Sequence, residues 1–111
     1  MEQILTATFT KQEDIQTSEL QLQRLDRNLK DIGQLYAKLN SYMCEPQTYN
    51  QFIRLDELKE EAKVLRDTNR SISSKLRKEP NSAARCYRLF LNYLQGFDVF
   101  VSDVARYVKT V

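Results

Sequence analysis

Apolar side chains recur along this chain in steps of three and four, and they do so in three separate ladders. The first runs Leu22, Leu25, Leu29, Ile32, Tyr36, Leu39, Met43, with Ile15 and Ser18 extending its phase backwards. The second runs Leu55, Leu58, Ala62, Leu65, Asn69, Ile72, Leu76, and the third Cys86, Phe90, Tyr93, Phe97, Phe100, Val104, Tyr107, Val111. Such a period places one face of a helix in a core. Three helices are therefore predicted, over about 15–44, 50–78 and 82–109.

The punctuation agrees with the ladders. Pro46 and Pro80 lack an amide hydrogen and push the residue before them out of helical geometry, which makes Glu45 and Glu79 terminal or post-helical. Thr10 with Glu13 and Ser18 with Gln21 both have capping-box spacing, so the first helix has two candidate starts. Thr48 with Gln51 offers the same device to the second helix, and Asn81 or Ser82 can cap the third. Segments of about 27 residues would be roughly 40 Å long at 1.5 Å per residue. Rods of equal length joined by short connections run antiparallel, so the expected fold is an all-α, up-down-up left-handed three-helix bundle over residues 13–111. Residues 1–12 contain Ile4, Leu5 and Phe9 without a sustained period, which suits a flexible tail or a short binding peptide.

Composition narrows the class of function. Of the 111 residues 41% are hydrophobic, and only two glycines and two prolines interrupt helix formation. No apolar run exceeds three residues, so none reads as a membrane span or a secretory signal. Cys44 and Cys86 are too few for a disulfide framework, and Cys86 sits on the core ladder as a small hydrophobe. With no histidine, no glycine-rich phosphate loop and no cysteine pair at metal spacing, the pattern argues against an enzyme and implies no cofactor. Asp56, Glu57, Glu60 and Glu61 interleave with Arg54, Lys59 and Lys63, which reads as surface ion pairing along a helix.

Charge is uneven along the chain. Residues 1–62 carry 7 basic and 11 acidic side chains, a net of −4, whereas residues 63–88 carry 8 and 2, a net of +6. Lys63, Arg66, Arg70, Lys75, Arg77, Lys78, Arg85 and Arg88 are expected around the second corner of the bundle, either as a solvated face whose cations complement helix C-termini or as a docking patch for an acidic partner or an anionic membrane. No aromatic interleaving or recognised motif points to nucleic acid.

Two features stand outside the simple pattern. The third helix has a second apolar stripe displaced by one residue, Tyr87, Leu91, Leu94, Val101, Ala105 and Val108, interrupted by Asp98. A helix touching two neighbours needs a wide apolar face; the other reading is that part of this stripe stays open and forms, with the second helix, a groove for a fourth amphipathic helix. Gly96 would permit close approach there or a bend. Asn69 occupies a core phase, where a buried amide needs partners: it either sets register, lies near a bundle end, or bonds a partner helix.

Three stretches carry a resemblance to a family. Leu22-Gln23-Arg24-Leu25 through Ile32-Gly33, then Leu65-Arg66-Asp67-Thr68-Asn69-Arg70 followed by Leu76, and finally the aromatic and basic helix from Phe90 to Val108, are together similar to the amino-terminal three-helix (Habc) domain of syntaxins, especially the endosomal and vacuolar type. The chain departs from that pattern in continuing as good helix from Gln34 to Cys44. The resemblance implies a regulatory piece of a longer t-SNARE protein, monomeric alone, on the cytoplasmic face of endosomal, vacuolar or other endomembranes, with the SNARE heptads and the carboxy-terminal membrane anchor beyond Val111. It implies that the bundle folds over its own or a partner SNARE helix and recruits SM-family regulators. The groove residues so implied are Tyr87, Leu91, Leu94, Val101 and Val108, with Arg66 and Arg70 as a basic rim. A tail bearing Leu5 and Phe9 is in place to bind an SM protein but lacks the acidic-basic-threonine opening of members that do so. The competing expectation is a helical adaptor or scaffold bundle in a tethering or other complex, with Leu94 and Val101 in a permanent interface.

Overall fold

The computed structural model describes the backbone of residues 11–111 and the side chains from Ile15 onwards. The Thr10–Glu13 capping box and the tail residues Ile4, Leu5 and Phe9 lie outside the described residues. Three helices follow one another: α1 (Lys11–Leu39), α2 (Tyr49–Lys78) and α3 (Ala83–Thr110), with one 3-10 turn, Tyr42–Cys44, between the first two. They pack pairwise into an all-α three-helix bundle measuring 61 × 24 × 16 Å.

The antiparallel course is tied at both ends by side chains that reach backbone carbonyls. At the second corner the Ser18 hydroxyl of α1 donates to the carbonyl of Pro80 at 2.6 Å. At the first corner the Tyr107 hydroxyl of α3 donates to the Cys44 carbonyl at 2.9 Å, and the Gln51 amide to the Thr110 carbonyl at 2.8 Å. Ser18 is thus an interior residue of α1, 1% exposed, and not a cap.

The expected and observed boundaries differ most at the end of α1. Asn40 and Ser41 stop the helix: the Asn40 amide donates to the Tyr36 carbonyl at 3.0 Å and the Ser41 hydroxyl to the Lys38 carbonyl at 2.6 Å. Short polar side chains that occupy last-turn carbonyls compete with continuation of the helix. Once the chain has left the helix, its period no longer governs burial. Met43, placed in the core by the ladder, is 80% exposed, and Cys44 is fully buried in its stead. The start of α2 is as expected: Thr48 Oγ1 accepts from the Gln51 amide at 3.1 Å while Gln51 Oε1 accepts from the Thr48 amide at 3.2 Å. Ser82 holds the cap position of α3, yet its hydroxyl faces the Cys86 sulfur at 3.8 Å and caps no amide.

Every residue of the second ladder is buried, Asn69 included, and so is the third from Cys86 to Tyr107 except Phe97, which is half-buried; Val111 is exposed. Each fully buried Leu, Phe or Val contributes roughly 1.5–3 kcal/mol. On α1 the buried stripe is turned by one residue from the expectation. Leu25, Ile32 and Leu39 are buried, but Gln21 and Asn28 go inside while Leu22 and Leu29 are half-buried. Polar groups therefore enter the interior through α1. Asn69, 1% exposed, donates to the Leu25 carbonyl and to the Tyr93 hydroxyl, each at 2.8 Å, and Ser73 donates to its oxygen at 3.4 Å. Burial pushes the Tyr93 phenol up, against the hydrogen bonds of Asn69 and Asn28. Of the three readings of Asn69, its position among α1, α2 and α3 supports the setting of register.

Candidate functional site

Three rods packed side by side leave three seams, and the seam between α2 and α3 is open to solvent. A groove of about 850 Å³ runs along it. Leu65 from α2 and Gly96 from α3 form its floor, and Val64 and Val99 add apolar side chains at its rim. Val64 is 62% exposed and Val99 59%, so the groove presents apolar surface to solvent. Gly96 makes the low point; a Cβ there would stand 3.4 Å from Leu65 Cδ2, in ordinary contact, so the glycine keeps the groove shallow-walled without being forced by a clash. Asn92 and Gln95 form the polar lip on α3.

The lip on α2 is acidic. Asp56, Glu57, Glu60 and Glu61 occupy it over little more than one turn. Arg54 sits at the end of the row, 3.2 Å from Glu57, 3.9 Å from Glu61 and 3.1 Å from Asp103 of α3, and Lys63 lies 3.4 Å from Glu60. Arg54 thus bridges three carboxylates, of which Asp103 has a second cation, Arg106, at 3.6 Å. Burial raises the Glu61 carboxyl above its usual value; Arg54 opposes this, and Asp103 and Glu57 add to it more weakly. Arg54 is held protonated more firmly than usual: burial disfavours its charge, but the Glu57 hydrogen bond and the three carboxylates outweigh it.

The residues expected to line a groove are distributed differently. The flank of α3 that meets α2 is marked by Asn92, Gly96, Val99, Asp103 and Arg106. At 100° per residue, Tyr87, Leu94, Val101 and Val108 lie on the opposite flank of α3, turned away from α2, with Leu91 on its outer face. Leu94 and Val108 are half-buried against the core, whereas Tyr87, Leu91 and Val101 are exposed. Those five do not line the α2–α3 groove. Arg66 and Arg70 belong to another seam again, between α1 and α2, where they border a small cleft of about 160 Å³ with Leu29, Ile32, Gly33 and Tyr36. The arginines and the α3 stripe are therefore not brought together.

Helix α2 is a ridge with two characters: carboxylates toward α3, and Lys63, Arg66 and Arg70 bordering the seam with α1. The rest of the basic band is spread around the second corner, with Arg77 3.3 Å from Asp26 and Arg85 paired to Glu79. Val64 and Val99 were missed because each falls outside its helix's ladder. Their signal was present as apolar residues among polar ones, but the period of a ladder does not say on which side of α3 the second helix lies.

Among the described residues no group of three or more Cys, Asp or Glu side chains is arranged to hold a metal ion, and no helix is long and apolar enough to cross a membrane. The open, acid-lipped, apolar-floored groove is the feature with the geometry of a binding site. Compared with known protein families, with curated proteins and with solved structures, the chain matches none.

Proposed function

We propose that this chain is a non-catalytic regulatory bundle of the syntaxin type, acting in vesicle fusion at the cytoplasmic face of an endosomal, vacuolar or other endomembrane. In this reading its α2–α3 groove receives a SNARE helix, its own or a partner's, and the bundle helps to recruit SM-family regulators. The observation that carries the reading is the groove itself. A bundle whose α2–α3 seam displays Val64 and Val99 to solvent has room and apolar surface for one more helix. The similarity of residues 22–33, 65–76 and 90–108 to the syntaxin amino-terminal domain points the same way.

A scaffold or adaptor bundle is the second reading, favoured by the first corner. Tyr42, Met43, Tyr49 and Phe52 are each more than half exposed there, an apolar cluster of the kind that marks a permanent assembly surface. Two measurements separate the readings. Light scattering on the chain gives a monomer for the syntaxin reading, and a tight dimer at micromolar concentration refutes it. Val64→Ser with Val99→Ser abolishes binding of SNARE-motif peptides while leaving the circular dichroism unchanged; retention of binding rules out this groove.

A further inference from the structure

We infer that the α2–α3 groove selects a basic amphipathic helix, one whose apolar stripe covers Val64 and Val99 and whose flank carries Lys or Arg against Asp56, Glu57 and Glu60; this rests on the helix-docking reading above.

Fit and charge both single out this occupant. The groove extends along α2 from Asp56 to Leu65 and along α3 from Asn92 to Val99, about two to three turns, the footprint of a short amphipathic helix. Its floor offers the Leu65 side chain and the bare backbone of Gly96, with the short β-branched Val64 and Val99 at the rim, an apolar surface that Leu or Ile of an incoming helix can cover. Its α2 lip carries four carboxylates and no cation; the nearest cations, Arg54 and Lys63, are already engaged with Glu57 and Glu60. A helix with acidic residues on that flank would add to the repulsion that Glu61 already feels from Asp103 and Glu57. A helix with Lys or Arg there relieves it, and like-charge exclusion is as much a part of selection as attraction. The expected basic rim, Arg66 and Arg70, is on the far side of α2 and cannot contribute.

The test uses the whole chain and two synthetic helical peptides with the same Leu and Ile stripe, one with Lys on the flanks and one with Glu, measured by fluorescence anisotropy with the contact mapped by NMR. The Lys peptide is expected to bind roughly three- to tenfold more tightly at low salt, the worth of a few exposed ion pairs, and the margin shrinks as the Debye length falls. Asp56→Lys with Glu60→Lys, both exposed positions, should reverse the order of the two peptides. Equal binding of both in the groove overturns the charge selection and leaves helix docking standing. Failure of both peptides, with no effect of Val64→Ser and Val99→Ser, overturns docking itself. Salt-sensitive self-association, with groove resonances shifting as protein concentration rises, would show that the occupant is the basic side of a second copy, and would also overturn the inference.

Discussion

Replacing Asn69 by Leu probes the interior most directly, because leucine has the same count of side-chain heavy atoms and matches its ladder neighbours Leu65 and Leu76. The substitution removes donors to the Leu25 carbonyl and the Tyr93 hydroxyl. The Leu25 carbonyl keeps its bond within α1, so its loss is small. The Tyr93 hydroxyl is different: the residue is 3% exposed, and stripping a partner from a buried hydroxyl costs about 1–3 kcal/mol. Burial of a leucine in place of the amide returns about 1.5–3 kcal/mol of transfer energy. The two terms nearly offset, so Asn69→Leu is expected to fall within about 1 kcal/mol of wild type, whereas Tyr93→Phe alone, which leaves the buried Asn69 amide short of an acceptor, costs about 1–2 kcal/mol. In the double variant neither member of the Asn69–Tyr93 bond is left alone, and only the lesser contacts of Ser73, at 3.4 Å, and of Asn28 go unreplaced. It should therefore be close to wild type, with a coupling of about 1–2 kcal/mol between the two sites. Urea unfolding followed by far-UV circular dichroism reads these differences, and about 4–8 °C in Tm per kcal/mol supports them thermally. If the two costs simply add, to within about 0.5 kcal/mol, the bond between Asn69 and Tyr93 carries no stability and the reasoning fails. A shallower urea slope for the double variant, at unchanged midpoint, would instead mean that the amide keeps the packing unique.

Gly33→Ala should raise stability by about 1 kcal/mol, since nothing lies within 4 Å of the added methyl group and alanine is the better helix former; a thermal melt that does not rise would contradict the open geometry at that site. Tyr107→Phe removes the bond to the Cys44 carbonyl and should cost about 1 kcal/mol by chemical denaturation, with faster amide exchange at the first corner. Val64→Ser and Val99→Ser should each change stability by no more than about 0.5 kcal/mol, being surface sites, whereas Leu94→Ser should cost clearly more in the same urea assay. Stability should be full below the ordinary tyrosine pKa of about 10 and decline above it, because the unfolded phenols ionise there while folded Tyr93 and Tyr107, raised by burial, still hold their protons. Tyr93→Phe with Tyr107→Phe should flatten that alkaline decline in a pH series of unfolding curves.

The ladders made the helices of this fold legible, and every residue of the second ladder is buried, with Ser73 beside it as the one buried residue of α2 that it did not contain. They were less informative where a polar residue outcompetes an apolar neighbour for the interior. Gln21 and Asn28 are buried ahead of Leu22 and Leu29 because α1 must present Ser18 to Pro80 and its Leu25 carbonyl to Asn69, which fixes its rotation. Nothing in the apolar period of α1 announces that. Met43 failed for a local reason, the stop built by Asn40 and Ser41. Of the candidate site, the seam was legible and its lining was not. A sequence shows that α3 is apolar on two sides, but which side meets α2 depends on the sense in which three rods are arranged.

The odd number of helices has a mechanical consequence. Chain entry at Lys11 and exit near Val111 lie at opposite ends of a rod 61 Å long, with α1 and α3 parallel. Tension transmitted through those two points pulls α1 and α3 lengthwise past each other, so that side-chain contacts along the whole seam resist together. A two- or four-helix hairpin loaded at its neighbouring ends would peel open one turn at a time. This bundle is thereby suited to bear axial load as a unit, with Ser18–Pro80 as a stitch near one loaded end and Gln51–Thr110 and Tyr107–Cys44 near the other.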